Sequence, residues 1–342
     1  MNPVWIDDEG PLAGSPPHVA VSPGAGAGRY RAALDSLRSS GSEVAFASFT
    51  FDAQDGSSVV IIPSSVTESA PDPVTPGEVS GHIIDDGVDS WRRGFRMAMD
   101  AIAAGQVEKV VLARQVRVEV PGREAGPWVL SHLAVNRRAD HVFAIAGLIG
   151  ASPELLVRRA GSEVTSVVLA GTSSDPDGLK GPKIEEEHRL AAESARRGLE
   201  TVIEIRDIDE MTVTHGQLTH RGTRIRGVTR HGEPVTDLLA ALHPTAAVAG
   251  TPTSRAIDLI RRIEPRPRAR YAGPVGWFDS DGNGAFAVAL RCGQLDAGGM
   301  TLYAGGGLVG GSVEALELAE TELKLRTMLE ALGIEATDHP SS

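Results

Sequence analysis

Residues 107–120, VEKVVLARQVRVEV, constrain the chain more than any other stretch: a β-branched run passes into strict apolar–polar alternation. A period of two over this length reads as one long β-strand. Val110, Leu112, Val116, Val118 and Val120 share one face, and Lys109, Val111, Ala113, Gln115, Arg117 and Glu119 share the other. Lys109 thus opens the strand beside small apolar neighbours. A lysine so placed is either a solvated strand end or a base kept partly dry.

Other segments surround this strand with a mixture of elements. VFAIAGLIG reads as a further strand, ELLVRRAGSEVTSVVLAG as a hairpin, and AGPVGWFDSDGNGAFAVALRCGQL as a hairpin with its turn at DSDGNG. QLTHRGTRIRGV reads as a strand pair. DSWRRGFRMAMDAIAAGQ has helical spacing, with Trp91, Phe95, Met97, Ala101 and Ile102 on one side and Gly105 as the stop. EEEHRLAAESARRGLETVIEI, EPVTDLLAALHP, SRAIDLIRRIEP and VEALELAETELKLRTMLEALG read as helices. Strands and helices mixed in this way predict an α+β fold. Residues 10–30 read as loop, and the Pro/Ser-rich segment 63–80 as a linker. The expected division is a variable N-terminal lobe over 1–80, integrated into the same fold, and a working domain over 81–335.

A chain of 342 residues with a formal charge of -12 lacks the basic footprint of a nucleic-acid binder. Its single cysteine, Cys292, excludes an intrachain disulfide and a thiolate metal cage. No apolar run is long enough to span a bilayer, and the first residues do not resemble a secretory signal. A cytoplasmic, monomeric protein is expected, with no membrane or nucleic-acid partner.

Several residues could carry chemistry. Glu317, Glu320 and Lys324 fall at i, i+3 and i+7, one stripe of the last helix. AGGGLVGG just before it lets backbone N–H groups approach an anion. A hard cation such as Mg2+ between carboxylates and an anionic ligand would suit this pairing. A solvated face with a Glu320–Lys324 ion pair is the plainer alternative. The acids of EEEH also complement a helix dipole. Glu154, His220 and His243 say little singly.

Taken in order, KVVLAR, GASPELL, LAGT, EEEH, HPT, VAGTP, YAGPVGW, ALRC, YAGGGLV and the Glu317–Glu320–Lys324 stripe resemble the chorismate-utilising enzymes, isochorismate synthases most closely. The resemblance covers residues 82–332. It implies a large antiparallel β core, sandwich-like, flanked by helices. It also implies Mg2+-dependent conversion of chorismate to isochorismate, with water added at ring carbon 2 and the carbon 4 hydroxyl lost. By this resemblance Lys109 is the general base and Glu154 the general acid. Burial beside Val111 and Ala113 would suit a lysine to that task. Glu187 and Glu320 would hold the metal, with Glu317 as a second acidic partner. Tyr271 and Arg291 would hold the enolpyruvyl carboxylate, Gly305 and Gly307 would give it backbone N–H groups, and Lys324 would sit close by. His220 would lie near the ring, and Gly171 and Thr172 would line the substrate.

Ala170 stands where the aminodeoxychorismate synthases carry a nucleophilic lysine, and HPTAAVAGTP resembles the water-using branch. No glutaminase subunit is therefore expected. The chain departs from the pattern in the segment 173–186, at Ile184 where an acid is usual, at Ala285 where a glutamate is common, and at Arg221 where a leucine is common. A salicylate-forming lyase on the same scaffold and a non-catalytic chorismate-binding relative are the alternatives.

Overall fold

A computed structural model describes residues 1–72, 74, 81–120, 125–136, 141–173, 179, 181–215 and 218–334. The N-terminal segment supplies β1 (Val4–Asp7), β2 (Gly10–Val21), α1 (Arg29–Ser40), β3 (Val44–Ser48) and β4 (Val59–Thr67). Next come β5 (His82–Asp85), α2 (Val88–Ala103), β6 (Lys109–Glu119) and α3 (Ala125–Asn136). Two hairpins follow, β7 (His141–Ile145) with β8 (Leu148–Ser152), and β9 (Leu155–Ala160) with β10 (Glu163–Ser173). Then come α4 (Pro182–Glu200), β11 (Ile203–His215), β12 (Leu218–Thr229), α5 (Val235–Leu242), β13 (Gly250–Thr251) and α6 (Thr253–Ile263). The chain continues through β14 (Pro274–Asp279), β15 (Gly284–Val288), β16 (Cys292–Asp296) and β17 (Gly299–Val309) to α7 (Glu314–Ala331).

The described strands form one continuous sheet with antiparallel pairings, the α+β arrangement expected. The N-terminal strands join it directly: β1 pairs with β7, and β3 with β14. The sheet closes around two apolar cores. The larger holds Trp91, Phe95, Val110, Leu112, Phe278 and Phe286; the smaller holds Val116, Val118, Leu302, Leu325 and Met328. β6 runs from one core into the other, so its apolar side chains are buried at both ends. Each such fully buried side chain contributes about 1.5–3 kcal/mol.

Local sequence explains most elements and several departures. On α2 the buried stripe is Trp91, Gly94, Phe95, Ala98 and Ala101, and Gly105 at φ 67 stops the helix. Met97 points outward, 49% exposed, because Gly94 and Ala98 take the close positions. Residues 10–21, expected as loop, form β2; a register shift between Ser15 and His18 skips Pro16 and Pro17, which have no N–H to give. β4 carries strand pairing to Thr67, into the segment read as linker; 73 and 75–80 lie outside the described residues. LTHRGTRIRGV is one strand, β12, between β10 and β11, rather than a pair. The helix expected through TVIEI ends at Glu200, where β-branched Val202 and Ile203 begin to favour a strand.

Candidate active site

Two strands build the floor of a cleft. β6 and β17 pair along their length, with Lys109 opposite Val309, Val111 opposite Gly307 and Ala113 opposite Gly305. On its other side Lys109 pairs with Thr251 of β13. The lysine is therefore not a solvated strand end; it is 0% exposed. Its Nζ lies 3.3 Å from Glu187 Oε1 and makes no geometrically formed hydrogen bond. The glycines opposite are required by space. A Cβ at Gly307 would stand 2.1 Å from Glu187 Oε1 and 2.9 Å from Lys109 Cε, and one at Gly305 would stand 2.8 Å from the Tyr271 hydroxyl.

Glu154 sits between β8 and β9, just after Pro153, and is 2% exposed. Burial pushes its carboxyl up to about 8, against the opposing pull of the Leu169 backbone N–H, Lys109 and Lys324. It is therefore predominantly a neutral acid at neutral pH, in the same cleft as a buried amine.

The carboxylates of α4 and α7 face the glycine strand. Burial opposes ionisation of Glu187, but Lys109, Lys324 and Lys183 together outweigh it and hold the carboxyl below its usual range. Lys324 donates to Glu320 Oε1 at 2.6 Å and to the Gly305 carbonyl at 2.7 Å. The i, i+4 pair foreseen on this helix exists, turned toward the cleft rather than into solvent. Glu317 is buried against the ammonium of Lys183. Burial raises the Glu317 carboxyl and Lys183 opposes this; burial lowers Lys183, and Glu317, Glu187 and Glu320 outweigh it to raise the amine. The two directions pull differently on the pair. The direct contact decides for an ion pair at neutral pH.

At the far end, His220 is held on both ring nitrogens. Arg291 donates to Nε2 at 3.3 Å, which leaves the proton on Nδ1 to be given to Thr172 Oγ1 at 3.0 Å. Thr172 reaches this position because Gly171, at φ 79, makes a β-bulge between Ala170 and Thr172. Ile184 packs against that bulge: a Cβ on Gly171 would be 2.5 Å from its Cγ2. Arg291 adopts φ 46, in the left-handed region where a residue with a side chain is strained.

The cleft is narrow and open at its mouth. Glu154, Gly171, Thr172, Glu187, His220 and Tyr271 line it, as do Arg291, Gly305, Gly307 and Lys324. Lys109, Glu317 and Glu320 stand behind that lining, in contact with Glu187, Lys183 and Lys324. Arg221 points away, paired with Glu210 at 3.2 Å across β11, and Ala285 is buried in β15. Of the segment 173–186, residues 174–178 and 180 lie outside the described residues.

Four contributors escaped the sequence reading. Tyr303 stacks on Tyr271 with centroids 4.8 Å apart and rings 8° from parallel. Arg268 lines the cleft and pairs with buried Glu264; the pair also binds the β6 backbone, through the Val111 carbonyl at 2.7 Å and the Ala113 N–H at 2.9 Å. Lys183 is the fourth. Only the run EPRPRAR hinted at the Glu264–Arg268 pair, by its density of arginine. The histidines of EEEH and HPT have structural duties: His188 donates to the Ala170 carbonyl, and His243 accepts from Tyr30 and donates to the Ala272 carbonyl. Burial holds His243 down at about 3, so it stays neutral.

Among the described residues no three His, Cys, Asp or Glu side chains gather closely enough to hold one metal ion. Each of Glu187, Glu317 and Glu320 is instead turned onto a lysine. The donors are nonetheless carboxylate oxygens, which suit a hard divalent cation, and Glu317 Oε2 is buried without a hydrogen-bond partner. The residues fit such an ion provided the lysines yield.

A family model described as chorismate binding enzyme matches residues 65–333. The isochorismate synthase MenF of Bacillus subtilis (strain 168) is 34% identical over 276 residues, 72% of this chain and 56% of that protein. The salicylate biosynthesis isochorismate synthase of Pseudomonas aeruginosa is 39% identical over 262 residues, 71% of this chain and 54% of that one. The chain thus spans little more than half the length of these two relatives. The structure of DhbC from Bacillus anthracis superposes with a TM-score of 0.85 at 27% identity, covering 97% of this chain and 96% of that chain. Anthranilate synthase component I from Streptococcus pneumoniae TIGR4 shares the fold, with a TM-score of 0.70 at 17% identity over 96% of this chain and 90% of that one. With one fold, one cleft and a match that spans residues 65–333, the chain belongs to the chorismate-binding enzymes.

Proposed function

We propose that the protein is a Mg2+-dependent isochorismate synthase. The observation that carries this reading is the pairing of a neutral acid, Glu154, with a buried amine, Lys109, in one cleft. Isomerisation of chorismate needs both. Hydroxide is a poor leaving group and must receive a proton, and an attacking water must lose one. Glu154 gives its proton to the oxygen leaving ring carbon 4. Lys109, in its uncharged form, takes a proton from the water that bonds to ring carbon 2. The ring double bonds shift, so electrons and protons balance and no oxidant is needed.

Charge at the two ends of the cleft orients the substrate. Arg291, backed by His220, meets one carboxylate, and the Tyr271 hydroxyl and the backbone of Gly305 and Gly307 approach the same anion. Glu187 and Glu320 would hold Mg2+, with Glu317 beside them; bound there, the ion would meet the ring carboxylate and take up the Glu187 charge that now pairs with Lys109. Ala170 supplies no nucleophile to the ring, which favours water over a covalent route.

The test is product analysis. Purified protein with chorismate and Mg2+ should yield isochorismate by chromatography. Salicylate fluorescence would instead support the lyase alternative, and binding without turnover would support a non-catalytic relative. Loss of activity on chelation, restored by Mg2+, checks the metal.

A further inference from the structure

Lys183 has no part in the chemistry above, yet it reaches into its cation site. It lies in the first turn of α4, four residues before Glu187, so both project from one face of the helix. Opposite is the α7 stripe of Glu317, Glu320 and Lys324. The pairing is one to one: Lys109 with Glu187, Lys183 with Glu317, and Lys324 with Glu320. Lys109 and Lys324 have uses beyond neutralising a carboxylate. Lys183 has none in the proposed reaction.

This arrangement has an energetic consequence. Three carboxylates near a metal would ordinarily attract a divalent cation by themselves. Here an entering ion finds their charge already balanced and adds two positive charges to a partly dry cluster. Arg291, at the other end of the cleft, is positive as well and does not relieve the surplus. A dianionic ligand does. Glu317 Oε2 is one acceptor open to the ion without displacing Lys183, buried and lacking a hydrogen-bond partner among the described residues. The other oxygen of the same carboxylate is the one Lys183 occupies.

We propose that Lys183 is a tethered counter-cation that competes with a divalent ion for Glu317, and so makes ion binding depend on the arrival of a dianionic substrate. The proposal rests on the metal reading given above. By linkage, whatever stabilises the ion-free state at this carboxylate weakens the ion by the same factor.

The experiment compares wild type, Lys183→Met and Lys183→Arg, stripped of metal and titrated with Mg2+ alone by calorimetry. Methionine keeps an apolar stem and removes the charge; arginine keeps the charge. Lys183→Met is expected to bind Mg2+ at least about fivefold tighter than wild type, the low end of ordinary coupling between sites. Lys183→Arg should stay within about twofold of wild type by the same charge balance. In chelator, Lys183→Met should melt below wild type, because Glu317 is left buried and unpaired, and Mg2+ should raise its Tm by more than it raises that of wild type. Mg2+ binding by Lys183→Met that is equal to or weaker than wild type overturns the competition. If wild-type turnover is still lost on chelation and restored by Mg2+, only the role of Lys183 falls; if turnover ignores Mg2+, the metal reading falls with it.

Discussion

Replacing Glu154 by glutamine should make the protein more resistant to alkaline unfolding while abolishing turnover. The carboxyl is 2% exposed and burial raises it from an ordinary 4.5 to about 8. A displacement of that size corresponds to a preference for the neutral form of about 5 kcal/mol. Because the folded-state value lies above the ordinary one, this stabilisation is complete below about pH 4.5 and is lost as pH rises through about 8. Glutamine has the same shape, can still accept from the Leu169 N–H, and does not ionise. Relative to wild type, the variant should therefore gain about 4 kcal/mol between pH 5 and pH 9, most of the full effect. Urea unfolding of both proteins at those two values measures the difference without reference to activity. Curves that shift in parallel between pH 5 and pH 9 would refute a buried, proton-holding Glu154. The matching kinetic expectation is an alkaline limb in wild-type activity near pH 8, where the acid loses its proton.

Lys109→Ala should lower turnover at least about a hundredfold, as loss of a general base does, with its circular dichroism and chorismate binding preserved. Single-turnover kinetics and equilibrium binding check the two halves separately. Glu320→Gln should weaken Mg2+ dependence and chorismate affinity together, read from activity across a Mg2+ titration. Gly307→Ala should cost about 1–3 kcal/mol and most of the activity, since its Cβ would meet Glu187 at 2.1 Å and Lys109 at 2.9 Å. Gly310→Ala, with nothing within 4 Å of the added carbon, is the control and should unfold and react like wild type.

The parts of the site that the sequence made legible are those whose spacing is local. Glu317, Glu320 and Lys324 share a helix stripe by arithmetic, and Lys109 opens a strand whose period fixes its face. That Gly307 must be glycine follows only from the side chains that approach it from α4 and β6, and no local pattern reports them. Tyr303 and Arg268 were missed for the same reason: their roles come from Tyr271 and Glu264 across the fold. Residues 10–21 form a strand despite their proline and glycine content, because a bulge carries the pairing past both prolines. The resemblance, by contrast, gathered distant motifs that periodicity could not connect, and the cleft brings ten of those residues to one lining.

Isotope labelling reaches the central claim most directly, that Lys109 activates a solvent water while Glu154 releases the hydroxyl already on the ring. Turnover of unlabelled chorismate in water enriched in oxygen-18 should give isochorismate carrying one heavy oxygen, at the carbon 2 hydroxyl, by mass spectrometry. Isochorismate that forms without the label, or chorismate returned unchanged, would contradict it.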